Sequence, residues 1–311
     1  MSSRKPKIPV IVGPTASGKT ELSIQLASAC HGEIVSADSR QIYKWLDIGT
    51  AKPSASQLED IPHHCIGFVD PSIEYNAGAY AKHAIHKIED IRTRNHIPVI
   101  VGGSGLYIRA LVDGMFEGEV KDETVRMRLK NRVELEGLES LYNELKQCDP
   151  VSAEAIHPNN APRILRALEI CQITGKTRAQ IWEEKGPGRA FDPIFFGLYW
   201  PREILYQRIN DRVDRMLEQG LVDEVHALVK RGYGPQNNSM NTLGYKEVIS
   251  YLNREINQDA MREQIQRNTR RFAKRQMTWF RNDARIHWIP LHQQPDSGRM
   301  VRYIVQCISS Q

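Results

Sequence analysis

The chain has 311 residues, 41% of them hydrophobic and 25% charged, with 42 Lys and Arg against 37 Asp and Glu for a net charge of +5. That mixture excludes wholesale disorder and collagen-like repetition, and its length predicts about two domains or one large α/β unit with an insertion. No apolar run approaches the roughly 18 residues a membrane-spanning helix needs. Five cysteines, Cys30, Cys65, Cys148, Cys171 and Cys307, are odd in number and far apart in sequence. They indicate neither a disulfide framework nor a zinc ribbon, and a reducing cytoplasm fits them best.

The N-terminal stretch Met1–Lys7 carries no pattern of a secretory signal. Ile8–Val12 reads as a buried strand, Gly13–Thr20 as a glycine-rich turn, and Leu22, Leu26 and Ala29 as one face of a helix. Glu33–Ala37 is a second strand ending at Asp38. His63-His64-Cys65 is the only clustered metal-ligand chemistry, and neighbouring side chains on an extended segment point opposite ways, so it reads as a loop feature. Ala79–Arg94 is helical, and Ile97–Val101 is a third strand broken by Gly102-Gly103. Strands separated by helix-length patterns imply a parallel sheet covered on both faces.

From about Met115 to Gly188 the pattern changes. Glu123–Glu136, Leu138–Gln147, Ala161–Thr174 and Thr177–Lys185 carry helical periodicity, punctuated by the Asp149-Pro150 step and the 157–160 turn. A strand returns at Ile194–Trp200, followed by long helices at Glu203–Arg231 and Met261–Asn282. The expected architecture is an α/β core of residues 1–114 and 191–311 with a central parallel sheet. An all-helical insertion domain at 115–190 is carried by that core.

The positive charge is concentrated. Residues 262–285 hold eight basic side chains against Glu263 and Asp283, a local charge of +6, so the remainder sums to −1. At 100° per residue, Arg267, Arg270, Arg271, Lys274, Arg281 and Arg285 share one sector of a helix, with Ile265, Phe272, Trp279 and Phe280 opposite. Most charge runs are simply solvated faces, but those usually mix signs. A stripe of one sign points to a polyanion such as nucleic acid.

Gly13-Pro14-Thr15-Ala16-Ser17-Gly18-Lys19-Thr20 fits G-x-x-x-x-G-K-[ST] after a strand and before a helix, the context the motif requires. Its backbone N–H groups and helix N-terminus suit a diphosphate or triphosphate, with Lys19 on the terminal phosphates and the Thr20 hydroxyl on Mg²⁺. No Asn-Lys-x-Asp guanine box accompanies it. Asp38 ends the next strand, where the carboxyl ends of an open parallel sheet form the ligand crevice. It is a candidate general base, with a helix cap or a magnesium contact as alternatives. Gly102-Gly103-Ser104-Gly105 makes a third strand-end turn and brings a hydroxyl to the same crevice.

Taken together, these residues resemble the bacterial tRNA dimethylallyltransferases (tRNA isopentenyltransferases) over nearly the whole chain. The resemblance is carried by residues 13–20, Asp38-Ser-Arg-Gln-Ile-Tyr43, Asp47-Ile-Gly-Thr-Ala-Lys-Pro53 and Gly102-Gly-Ser-Gly-Leu-Tyr107. Arg163-Ile-Leu-Arg166-Ala-Leu-Glu169, Leu243-Gly-Tyr-Lys-Glu247 and Ala273-Lys-Arg-Gln-Met-Thr-Trp-Phe-Arg281 continue it. Ser104 stands where the family usually has Thr.

The resemblance implies a P-loop NTPase-like core and transfer of a dimethylallyl group from dimethylallyl diphosphate to N6 of the adenosine 3′-adjacent to the tRNA anticodon. It implies Gly13–Thr20 as the diphosphate cradle and Mg²⁺ as cofactor. Asp38 would be the general base, and Arg212, the second arginine of Arg208-x-x-x-Arg212, a diphosphate contact beside Thr20. It places the anticodon stem-loop against Asp38, Ser39, Arg40, Gln41, Ser104, Arg126, Pro162, Arg163, Ile164, Leu165, Arg166, Leu243, Gly244, Tyr245 and Lys246. Arg270 and Lys274 of the basic stripe join them. A cytoplasmic monomer is expected. A small-molecule kinase with a helical lid, or a non-catalytic nucleotide-switched RNA-binding module, are the competing readings.

Overall fold

The computed structural model describes residues 5–114, 122–185, 191–292 and 295–309. In chain order the elements begin with β1 (Lys7–Val12), α1 (Lys19–Ala29), β2 (Gly32–Ser36), α2 (Ala55–Asp60), β3 (His63–His64), α3 (Ala77–Thr93), β4 (Ile97–Gly102) and α4 (Gly105–Asp113). A helical run follows: α5 (Glu123–Glu136), α6 (Leu138–Cys148), α7 (Pro150–Ala155), α8 (Ala161–Thr174) and α9 (Arg178–Lys185). The chain then returns to β5 (Asp192–Tyr199), α10 (Arg202–Glu218), α11 (Leu221–Lys230), α12 (Tyr245–Leu252), α13 (Gln258–Arg281), β6 (Ile286–Pro290) and α14 (Ser297–Ser309).

The chain divides into two compact units. The first, Met1–Tyr75, Tyr80–Val112 and Ala190–Gln311, is built on one sheet in the order β3-β2-β4-β1-β5-β6. Every pairing is parallel, as β-α-β connections require. All five residues of β2, and all but the first of β1 and β4, are buried, which is why those segments read as unbroken apolar runs. Ile11, Val99, Phe196 and Leu198 of the sheet pack with Leu22 and Leu26 of α1, and with Val301 and Ile304 of α14. The second unit, Asn76–Ala79 with Asp113–Arg189, has its own core of Leu129, Leu141, Leu145, Ile156, Ile164 and Leu168.

Several elements depart from the expectations. Ala29 of the expected α1 face is exposed, and Ser23 and Ala27 are buried in its place. His63-His64 is a two-residue edge strand in register with Ile34 and Val35, not a loop. The expected break at Asp149-Pro150 is present, ending α6 at Cys148, but it also starts α7: Asp149 accepts from Ser152 N, and Pro150 sits where a missing N–H costs nothing. The single helix expected over 203–231 is two, α10 and α11, because Gly220 adopts φ 96° between them. The helix expected to reach Asn282 ends at Arg281, so Arg285 stands outside it. Strand β6 and helices α2, α4, α12 and α14 have no counterpart in the sequence reading.

Candidate active site

The three strand-end turns converge at the carboxyl edge of the sheet. β1 runs into the loop Gly13–Gly18, where Gly13 (φ 152°) and Gly18 (φ 92°) take conformations that strain other residues. The loop is braced from outside: Lys19 Nζ donates to Pro14 O (2.6 Å), Arg208 Nε to Ala16 O (2.9 Å) and Trp200 Nε1 to Ser17 O (3.0 Å). Arg208 also lies over the Trp200 ring, 4.5 Å from its centroid. Among the described residues the N–H groups of Gly18, Lys19, Thr20 and Glu21 have no acceptor. They are the open donors at the positive end of α1.

These groups line a cavity of about 500 Å³ whose walls include Ser17–Glu21, Ala51–Pro53, Arg208, Arg212 and Arg215. Five cations, Lys19, Lys52, Arg208, Arg212 and Arg215, face it against two acids, Glu21 and Asp211. Loss of hydration pulls the Lys19 ammonium down to about 7, helped by the Arg212 charge and opposed by Asp38. Burial likewise lowers the Arg212 guanidinium, with Asp38 pushing back and Arg215 adding to the fall. Such a crowd of half-desolvated cations is a site for a highly charged anion.

A smaller cavity of about 50 Å³ adjoins the same residues. Lys19, Thr20, Ser36, Asp38, Gln41, His63 and Gly103 line it together with Ile34, Ile66 and Val101. Asp38 Oδ1 accepts from Arg40 N (2.8 Å) and Gln41 N (3.3 Å), which fixes the carboxylate. Oδ2 has no partner among the described residues, so one oxygen is held and the other is open. His63 Nδ1 donates to Ile61 O (2.7 Å), leaving buried Nε2 without a partner. Burial lowers the His63 pKa, opposed by the hydrogen bond to Ile61 O.

Gln41 Nε2 donates to Thr50 O (3.2 Å) and Ala51 O (3.0 Å), tying Asp38's turn to the loop that carries Lys52 and Pro53. Lys52 is itself pinned to Tyr43 O (2.5 Å) and Asp47 Oδ1 (2.6 Å). Glu224 on α11 holds the far side of that loop, accepting from Asp47, Ile48 and Gly49 N–H and from the Tyr245 hydroxyl (2.6 Å). The third turn joins through Ser104, whose Oγ accepts from Ser39 N (2.9 Å).

The cradle residues, Thr20, Asp38 and Arg212 are thus brought together, with Ser39, Arg40, Gln41 and Ser104 beside them. Four of the expected RNA positions are differently employed. Ile164 is wholly buried in the helical unit's core, and Tyr245 is wholly buried with its hydroxyl on Glu224, so neither side chain is available to RNA. Gly244 is buried and donates its N–H to Glu247 Oε2 (2.8 Å). Arg270 donates to Asn210 Oδ1 (2.7 Å) instead of standing free. Leu165 is half-buried, packed against that helical core, and Leu243 is half-buried. Within the helical unit, Arg126 Nη2 (3.5 Å) and Arg166 Nη1 (2.7 Å) flank buried Glu169, while Pro162 and Arg163 are exposed.

On α13, Arg267, Arg271, Lys274 and Arg275 are exposed and have no carboxylate within ion-pair distance among the described residues, and Lys246 is exposed on α12. Arg262 is paired with Asp214 and Arg285 with Asp283, which shortens the expected stripe. Phe272 is only half-buried and Trp279 exposed; Ala273, Gln276 and Phe280 form the buried face. Lys52, Arg215, His63 and Gln276 were missed as site residues. Lys52 and Gln276 lie inside the stretches 47–53 and 273–281, but nothing in their spacing assigns them a contact.

The family model for IPP transferase matches residues 41–283. That span is well over half of the chain. The chain belongs to the IPP transferase family.

Curated relatives agree across nearly the full length. The tRNA dimethylallyltransferase of Geobacter sulfurreducens is 44% identical over 286 residues, 92% of each chain. That of Pelotomaculum thermopropionicum is 44% identical over 313 residues, covering 99% of this chain and 98% of its own. A tRNA delta(2)-isopentenylpyrophosphate transferase from Staphylococcus epidermidis superposes with a TM-score of 0.72 at 39% identity, covering 99% and 100% of the two chains. A eukaryotic dimethylallyltransferase acting on tRNA superposes at 0.84 with 32% identity, covering 98% of this chain and 80% of its own. The P-loop NTPase-like core is therefore the family's fold, and the chain is a prenyl-transferring, tRNA-modifying enzyme of this family. Among the described residues no helix is long and apolar enough to cross a membrane.

Proposed function

We propose that this enzyme transfers the dimethylallyl group of dimethylallyl diphosphate to N6 of the adenosine 3′-adjacent to the tRNA anticodon, acting as a cytoplasmic monomer. One observation carries the reading. Residues 18–21, whose N–H groups have no acceptor among the described residues, line one cavity with Arg212, and Asp38, with one oxygen unpartnered, lines the space beside it.

In the reaction the C–O bond of the donor breaks and pyrophosphate leaves with the electron pair. The adenine N6 bonds to the freed carbon and gives up a proton. The N–H donors and the two cations stabilise the growing charge on the leaving group, in a site where they are already oriented. Asp38 takes the N6 proton through Oδ2, its other oxygen held by two backbone N–H groups. A positioned base of this kind contributes about 10²–10⁴-fold. The adenine must leave its stack to reach this carboxylate, because a stacked base cannot present N6 to it.

The residues fit Mg²⁺ as the family's fold implies. The Thr20 hydroxyl has no partner among the described residues, and it shares the small cavity with Asp38. No group of three His, Cys, Asp or Glu forms a metal cage among the described residues. That suits an ion which takes one or two protein oxygens and completes its shell with phosphate and water. When bound, the ion neutralises the leaving diphosphate.

The test is incubation of purified protein with unmodified tRNA, dimethylallyl diphosphate and Mg²⁺, followed by digestion and mass spectrometry. Adenosine carrying one isoprenoid unit is expected. No mass gain, with ATP consumed on a panel of small hydroxyl acceptors, would replace the proposal with a kinase.

A further inference from the structure

Gln276 lies on the buried face of α13 and is 7% exposed, a polar side chain among Ala273, Phe280 and the backs of two turns. Its two ends do different work. Oε1 accepts from Thr15 N (2.8 Å) in the phosphate loop, and Nε2 donates to Gly103 O (2.9 Å) in the turn after β4. Gly103 lines the small cavity with Asp38 and Thr20. A Cβ at Gly103 would run into Gln276, so the amide is pressed against that turn.

The other braces of the loop all grip carbonyls. Lys19, Arg208 and Trp200 hold Pro14, Ala16 and Ser17 through their oxygens. Gln276 is the side chain that takes an N–H, that of Thr15, a residue that lines neither cavity. With Thr15 committed to Gln276 and Ser17 to Pro14, the N–H groups of Ala16 and of residues 18–21 are left without an acceptor among the described residues of the cavity wall. The same amide fixes the loop against the Gly103 turn, and Ser104 then fixes that turn against Ser39, next to Asp38.

We propose that Gln276 is a positioning residue for the transfer reaction, setting the diphosphate cradle in register with the carboxylate that receives the proton. This rests on the transferase reading. A carboxamide is required because one acceptor and one donor must project from a single planar group. Leucine supplies neither. Glutamate supplies only acceptors when ionised, and sets its second oxygen against the Gly103 carbonyl. Protonated glutamic acid again offers one acceptor and one donor, the pattern of the native amide.

The test compares Gln276→Leu and Gln276→Glu with the wild type. Folding is followed by thermal unfolding, inorganic pyrophosphate binding by calorimetry, and kcat and KM for donor and for tRNA by steady-state kinetics, from pH 6 to pH 8. Gln276→Leu should weaken pyrophosphate binding and raise the donor KM about tenfold or more, two buried partners having lost their hydrogen bonds, with the tRNA KM near wild type. Gln276→Glu should be as impaired at pH 8 and recover towards wild type as the pH falls and its carboxyl protonates. That recovery is read as a ratio to wild type at each pH, so other titrating groups in the cradle cancel.

Pyrophosphate affinity within twofold of wild type in a folded Gln276→Leu, or equal losses at every pH in the two variants, would overturn the proposal. If Gln276→Leu does not fold, the Gln276→Glu profile decides alone. Absence of prenyl transfer by the wild type would instead refute the underlying reading, and pyrophosphate binding would still report on Gln276.

Discussion

Lys19 supplies the sharpest prediction because its ammonium is held near 7 in the ligand-free protein by burial and by Arg212. A diphosphate reverses that balance, since two or more negative charges on the amine favour its protonated form. Binding above pH 7 must therefore draw a proton onto Lys19, and the affinity must fall as protons become scarce. With a pKa of about 7, roughly half of the free protein carries the charge at pH 7 and about 1% at pH 9. The donor affinity should thus drop about fiftyfold across that interval, roughly 2 kcal/mol.

The assay is titration calorimetry with an unreactive donor analogue in two buffers of different ionisation enthalpy, at pH 7 and at pH 9. Proton uptake should rise from about one half to nearly one per ligand bound. Lys19→Arg is the reference, because a guanidinium stays charged throughout and any remaining slope belongs to the ligand. Equal affinities at the two pH values, after that subtraction, would refute the reasoning, as would proton uptake in Lys19→Arg as large as that of the wild type.

Three further outcomes follow from the geometry. Asp38→Asn should lower kcat by about 10²–10⁴-fold while leaving pyrophosphate affinity within a few fold, because the amide cannot take the N6 proton; single-turnover kinetics read it. Arg271→Ala with Lys274→Ala should weaken tRNA binding and flatten its dependence on salt by up to about two counterions, read from log K against log salt. Arg270 is the wrong choice for that experiment, being bonded to Asn210.

Glu33 is 1% exposed: burial pushes its carboxyl up, but hydrogen bonds from Arg94, His64 (2.6 Å) and His96 (2.6 Å) outweigh it and hold it at about 2. Its stabilisation, about 3 kcal/mol for a shift of roughly 2.5 pH units, is complete above the ordinary carboxylate range. It is lost as the pH falls through 2. Glu33→Gln should therefore destabilise the fold strongly at pH 7 and far less at pH 2.5 in denaturant titrations.

How far the sequence is legible depends on whether a feature is local. Residues 13–20 announce a phosphate site because strand, loop and helix are contiguous and each glycine has a backbone reason to be there. Asp38 follows from its place at the end of an apolar run. Gln276 and Arg215 reach the same crevice from helices more than 150 residues further along the chain, and a glutamine in a basic, amphipathic helix has no periodicity that marks it as a brace. Tyr245 and Gly244 look like an exposed turn by composition, yet Glu224 and Glu247 draw them inside. The same holds for Arg285, which continues the helical stripe on paper. In the fold, Asp283 captures it beyond the end of the helix.

The central claim is that the cradle holds a leaving pyrophosphate while Asp38 receives the proton of an RNA base. It is tested most directly by following pyrophosphate release from dimethylallyl diphosphate and prenylated adenosine in the same single-turnover reaction. The account predicts that the two appear together, one for one, only when tRNA is present, and that both slow by about 10²–10⁴-fold in Asp38→Asn. Pyrophosphate release without tRNA, or prenylated adenosine formed at the wild-type rate by Asp38→Asn, would contradict it.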